Sequence, residues 1–248
     1  MSTSRSIVLA LECSNRRVGA ALWGPQGLIA QSGETPAEQL RKHGADLAPA
    51  AQELLKNSGL QVRDLKGIGV ALGPGSWTGL RVGIALAKAM AWGASVELTG
   101  VSSFEALALQ VSRTLKAPGR LLTLRNAYSE GFFAAQFLCK PSEAPERLAA
   151  DAVIKPDALP AWADTHSGPG VSVCGDAVCL TALENPARER GWTLLSAQDE
   201  VEPATLAELA YARLEKGEGL RTPEQIHLLG PLYLRASDPE LKFQRKPA

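Results

Sequence analysis

The stretch from Gly73 to Gly93, GPGSWTGLRVGIALAKAMAWG, constrains this chain more than any other. An apolar run, Ile68 to Leu72, precedes it and reads as a buried strand. Gly73-Pro74-Gly75 then forces a turn. Ser76 or Thr78 stands where a side chain can cap the free amides of a helix's first turn. The helix carries Gly79, Gly83, Ala87 and Ala91 at every fourth position, which places them on one face. A helical glycine costs about 1 kcal/mol relative to alanine, so two of them need a reason. Close approach of another backbone is one.

A strand, a glycine turn and a helix N-terminus can together seat an anion. Three specific loops are excluded. No Lys-Ser or Lys-Thr follows Gly79, so this is not a Walker A loop. Thr78 stands where a dinucleotide fingerprint needs its third glycine. Pro74 stands two before Ser76, where a nucleophile elbow needs glycine. A helix end offers an anion roughly 0.3–1 kcal/mol, whereas a micromolar site needs about 8 kcal/mol. The loop alone therefore does not make an ATPase. A tight turn that lets the helix pack closely is the plainer alternative.

The chain order supports α/β with mixed sheets. Residues 7–11, 17–23 and 28–31 read as an antiparallel meander, with Glu12-Cys13-Ser14-Asn15 as its first polar turn. Thr35-Pro36 opens a helix with a leucine stripe that Gly59 ends, and Pro49 is a kink position. After the central helix, residues 96–101 are a strand and a helix runs from Ser102 or Ser103 to about Thr114. The second half repeats the order: strands at 121–124, 132–138 and 153–154, a helix over 156–165, and a strand at 171–174 ending in Gly175-Asp176. Such duplication is a fold-level signal. Residues 203–217 form a further helix, 222–227 a short helical piece, and 238–248 a charged tail.

Net charge is zero over 248 residues, which gives no overall pull toward nucleic acid or membrane. A basic footprint for autonomous nucleic-acid binding is not visible in bulk, and Lys242, Arg245 and Lys246 are diluted by Asp238 and Glu240. Cys13, Cys139, Cys174 and Cys179 show no C-x-x-C spacing, so reduced thiols in a cytoplasmic protein are expected. Neither a signal peptide nor a membrane span is read.

GPGSWTGLRVG resembles the GPGSFTGLRIG signature of the TsaB (YeaZ-like) family. IVLALECSN resembles that family's first strand and turn, ILAIDTS, with Glu12 in place of the usual Asp. HGADLAPAAQELLKNSGL, from His43 to Leu60, resembles its H-S-x-x-L-x-P-x-I-x-x-L-L helix, and GVSSFEALA, Gly100 to Ala108, its GVSTLEALA. Cys174 to Val178 and Pro231 to Arg235 sit where the family has a G-[ND]-G turn and a P-x-Y-L-R close. The family's D-A-R-x-x-E-V-Y segment appears as Arg125 to Phe132, with only Glu130 retained.

The resemblance implies an actin-like ATPase fold of duplicated, ribonuclease-H-like lobes with mixed sheets. The expected division is a first lobe over 1–114, a second, smaller lobe over 115–202, a segment over 203–237 packing back on the first, and a mobile tail. It also implies a non-catalytic subunit that binds a TsaD-like catalytic subunit. With a TsaE-like ATPase they transfer a threonylcarbamoyl group to the adenosine next to the tRNA anticodon. The expected interface holds His43, Leu47, Ala50, Gly79, Arg81, Gly83, Ala87 and Ala91. The small-residue stripe has two uses, own sheet or partner helix, and the resemblance favours the partner. A leucine at Gly83 is then expected to block docking and leave a folded monomer. Without its partner the chain is expected to self-associate through that face. Contact with tRNA is expected to be indirect, and no membrane is involved.

Glu12, Cys13, Ser14, Gly73, Pro74, Gly75, Ser76, Thr78, Gly175 and Asp176 form a candidate nucleotide or anion loop. Glu12 could hold magnesium-bound water or simply bond a neighbouring amide, and Asp176 could contact nucleotide or serve its turn. No cofactor of its own is expected, with ATP bound only weakly or in the complex. TsaD-like relatives hold a metal with an H-x-x-x-H pair, but Leu47 stands four residues after His43, so no metal is expected. An independent actin-like ATPase or kinase is the alternative function, and a metallopeptidase a more distant one.

Overall fold

The computed structural model describes residues 6–14, 18–32, 46–141, 143–166, 170–196 and 199–234. Within them the duplication takes physical form as two sheets of matching order. The first sheet runs β3 (Gly27–Gln31), β2 (Gly19–Gly24), β1 (Val8–Glu12), β4 (Gly67–Ala71), β5 (Glu97–Val101). β1 pairs antiparallel with β2 and parallel with β4, and β4 pairs parallel with β5. The second sheet runs β11 (Thr193–Leu195), β10 (Val171–Gly175), β6 (Gly119–Asn126), β7 (Phe132–Cys139), β8 (Glu146–Arg147), and β9 (Ala152–Ile154) also pairs with β7. Here β6 pairs antiparallel with β7 and parallel with β10, and β10 parallel with β11. β6 thus takes the place of β1, and β10 that of β4. This is the ribonuclease-H-like arrangement twice over, an α/β fold with mixed sheets.

Eight α-helices are described: α1 (Leu47–Asn57), α2 (Trp77–Ala94), α3 (Ser103–Ser112), α4 (Leu159–Ala163), α5 (Ala177–Ala182), α6 (Glu184–Arg190), α7 (Pro203–Glu215) and α8 (Pro223–Leu228). α4 is shorter than the helix expected over 156–165, and α5, α6, β8 and β11 have no counterpart in the sequence reading. The expected start of α1 at Thr35-Pro36 lies outside the described residues, as does the tail over 238–248.

Alternation along β6 and β7 joins the two sheets. Leu121 of β6, with Ala135 and Phe137 of β7, points into the main core. Leu122, Leu124 and Ala134 point the other way, into a smaller core closed by α4, α5 and Leu183. α7 lies against the first sheet, on the side to which Gly67 and Gly69 point. A Cβ on Gly69 would overlap the Ala210 methyl, so strand and helix approach as closely as backbones allow. α3 touches α7 as well as β6 and β7, and so bridges the halves.

Candidate functional site

β1 ends at Glu12 and β4 at Ala71, side by side in the parallel pair, so their following turns meet. Glu12 is fully buried. Its Oε1 accepts from the Ser14 amide and the Ser14 hydroxyl, both at 2.6 Å. The Ser14 carbonyl in turn accepts from the Ser76 amide at 2.8 Å. Ser76, rather than Thr78, caps α2: its Oγ accepts from the Gly79 amide at 3.2 Å. Gly73 has φ +93°, a conformation that favours glycine, and its carbonyl accepts from Ser103 at 2.8 Å. The Gly73–Pro74 bond is cis.

These contacts bring Glu12, Cys13, Ser14, Gly73, Gly75 and Ser76 together, with Glu12, Ser14 and Ser76 bonded in a chain and Gly75 packed on Ser14. A Cβ on Gly75 would stand 2.7 Å from Ser14 Cβ, leaving no gap between the two turns. Gly175 and Asp176 lie at the end of β10 in the other sheet. Asp176 Oδ1 accepts from the Cys179 amide at 3.1 Å, which caps α5, and Oδ2 from the Asn126 amide at 2.8 Å, which ties α5 to β6. A Cβ on Gly175 would meet the Leu124 Cβ at 3.0 Å. Burial pushes the Cys13 thiol well up, and the adjacent Glu12 charge adds to that. Such a thiol stays protonated and inert. Among the described residues no group of three or more His, Cys, Asp and Glu is placed to hold a metal ion, and no helix is long and apolar enough to cross a membrane.

The expected interface needs correction. Gly79, Gly83, Ala87 and Ala91 are all buried inside this chain. A Cβ on Gly79 would overlap the Cys13 carbonyl, and one on Gly83 the Cys13 side chain. The close backbone that the two glycines admit is the first turn of the chain's own sheet. A leucine at Gly83 therefore breaks the fold before it can test docking. Leu47 is buried too, Ala50 is half-buried, and His43 lies outside the described residues. Arg81 alone of the α2 residues expected there is exposed.

What α2 does offer solvent is a different face. Val82, Ala85, Ala89 and Trp92, spaced by three, four and three residues, lie on one side, and all are exposed, Trp92 by 66%. Trp77 and Arg81 continue this arc at its N-terminal end. The Arg81 guanidinium sits 4.2 Å from the Trp77 ring centre, its Nε donates to Tyr233 Oη at 3.2 Å, and the Trp77 and Tyr233 rings are 4.9 Å apart. Lys88 Nζ donates to the His227 carbonyl at 2.7 Å, so the C-terminal segment braces the helix. Spacing carried the signal for this face. But α2 is apolar nearly all round, and periodicity alone could not choose which side was covered.

Comparison with known proteins agrees with this fold. The family described as TsaD, tRNA N6-adenosine threonylcarbamoyltransferase, matches over residues 28–166. The tRNA threonylcarbamoyladenosine biosynthesis protein TsaB of Bacillus subtilis is 39% identical over 101 residues, 41% of this chain and 43% of that protein. The protein of the same name in Escherichia coli is 28% identical over 166 residues, 67% of this chain and 70% of that one. The chain thus spans less than half the length of the first of these relatives. A Pseudomonas aeruginosa protein of solved structure, described as uncharacterized with similarity to peptidase YeaZ, superposes with a TM-score of 0.72 at 22% identity, covering 93% of this chain and 100% of that one.

Proposed function

The chain belongs to the TsaD family, as a TsaB (YeaZ-like) member, and on that premise we propose that it serves tRNA threonylcarbamoyladenosine biosynthesis in the cytoplasm as a non-catalytic docking subunit. Its partner is a TsaD-like subunit, which transfers the threonylcarbamoyl group to N6 of the adenosine next to the anticodon, with a TsaE-like ATPase completing the set. One observation carries this reading: the exposed face of α2 is apolar, while the polar groups of the neighbouring turns bond to one another. Ala85 and Ala89 allow a partner helix to approach to roughly 8–10 Å between axes. Trp77, Arg81 and Trp92 are the residue types that anchor interfaces. A stable contact would cover about 1,200–2,000 Å² in total. In the partner's absence the same face supports a homodimer.

The loop that looked suited to nucleotide supports a structural role instead. Glu12 Oε1 is held by Ser14, and both carboxylate oxygens of Asp176 by backbone amides. ATP is accordingly a ligand of the complex and not of the isolated chain, and contact with tRNA runs through the partner.

The test pairs Ala85→Glu with Ala89→Glu, both at exposed positions. The double variant should fold as the parent does and lose co-purification with the TsaD-like subunit. An unchanged complex would refute the docking face. Calorimetry with Mg-ATP on the isolated chain separates the competing ATPase reading: tight binding with turnover would overturn the non-catalytic one.

A further inference from the structure

A cleft of about 400 Å³ opens where α3, α7, the β8–β9 connection and the C-terminal segment meet. That lies at the small end of ligand pockets, roughly 300–1,000 Å³. Its apolar wall is Leu72, Leu232 and Leu234. Its polar wall holds two cations and two carboxylates. Arg213 reaches Glu105 and the Gly100 carbonyl. Arg147 reaches Asp151, covers the Phe137 ring at 4.6 Å, and makes a long 3.4 Å contact to Ser102 Oγ.

Three features mark the cleft as more than a brace between the halves. Two Arg–carboxylate pairs, Arg147 with Asp151 and Arg213 with Glu105, line one cleft, and Asp151 feels both Arg147 and Glu105 while burial pushes its carboxyl up. Ser102 is the N-cap of α3 yet its hydroxyl makes no cap bond and lines the cleft. Two stretches far apart in sequence, GVSSFEALA and PLYLR, converge here through Ser102, Glu105, Leu232 and Leu234. A lone cation would unbalance the four charges, and a lone anion would meet the two carboxylates. A molecule carrying both signs fits.

We propose that this cleft binds a small amino-acid-like zwitterion, its ammonium between Glu105 and Asp151, its carboxylate against Arg147 and Ser102 at the start of α3, and its aliphatic part on the three leucines. Arg147 and Arg213 each keep about a third of their side-chain surface exposed, so both guanidinium groups can be reached from the cleft while they hold their carboxylate partners. The inference does not depend on the docking role of α2.

The test is calorimetric titration of the full chain with L-valine and L-threonine, with isobutylamine and isobutyrate as half-probes. At least one zwitterion should bind saturably and each half-probe at least about tenfold more weakly. Asp151→Asn should weaken binding about tenfold or more. Leu232→Ala leaves the charges in place and should weaken it several-fold with an unchanged circular dichroism spectrum, which decides the matter if Asp151→Asn does not fold. Saturation by neither zwitterion at concentrations of about 10 mM, where even weak pockets fill, or equal binding by a half-probe or by a folded variant, would overturn the site.

Discussion

Replacing Gly83 by alanine tests how α2 seats on the end of β1. The new methyl would stand 2.7 Å from Cys13 Cβ, press on Cys13 Sγ, and lie 3.6 Å from Leu47 Cδ2. Neither neighbour can retreat toward solvent, since Cys13 and Leu47 are each 1% exposed. Overpacking of this kind costs about 1–3 kcal/mol, and the better helix propensity of alanine returns about 1 kcal/mol. The contact has no open side, so the upper part of the first range applies. The net loss is then about 1–2 kcal/mol, or roughly 2–8 °C in Tm for a chain of this length. Urea unfolding followed by circular dichroism, on the parent, Gly83→Ala, Cys13→Ala and the double variant, measures it. Cys13→Ala removes the sulfur that the methyl strikes, so the double variant should lose less than the sum, with a coupling of about 0.5–3 kcal/mol. If Gly83→Ala matches the parent or gains about 1 kcal/mol, the glycine does not serve Cys13 and the packing argument fails.

Trp92→Ala should leave unfolding within about 0.5 kcal/mol of the parent, yet weaken binding of the proposed TsaD-like partner by about 2 kcal/mol or more, read by calorimetry. Asp176→Ala removes the α5 cap and the bond to Asn126, and should cost about 1–2 kcal/mol in thermal unfolding; Asp176→Asn should recover only part of that, because its one carbonyl oxygen can keep the cap while its NH2 then faces the Asn126 amide. Burial pushes Cys139 up to about 12, and Cys13, Cys174 and Cys179 up as well. The folded state then keeps protons that the unfolded state releases above the ordinary thiol value of 9.0. Stability is whole below that pH and falls as pH rises, by about 1.4 kcal/mol per pH unit for each thiol. Urea midpoints between about pH 8 and pH 11 check the slope, and a flat profile would contradict the burial.

Much of this protein was legible in its residues. Continuous apolar runs and polar or glycine turns marked the strands of the first sheet, and their repetition after Gly119 marked all of the second but β8 and β11. The strand-turn-helix at Gly73 was readable because glycine, proline and a capping serine each have a local conformational meaning. Asp176 was readable as a turn residue, although its double role was not, since Asn126 is brought beside it only by the pairing of β6 with β10. α5, α6 and β11 escaped because short, half-exposed elements carry too few residues for a period to declare itself.

The sequence by itself determined that α2 would carry a face of small residues and that some backbone must come close to it. Only the tertiary structure decided which backbone. A helix apolar on nearly every side has no preferred inward face of its own, and the choice fell to the partner with matching shape. The turn after β1 delivers Cys13 to Gly83 and the Cys13 carbonyl to Gly79. That contact uses up the glycine stripe and leaves Val82, Ala85, Ala89 and Trp92 facing outward. The same is true of the cleft at Arg147: its four charges come from α3, α7, β8 and the β8–β9 connection, and only the packing of those elements makes them neighbours.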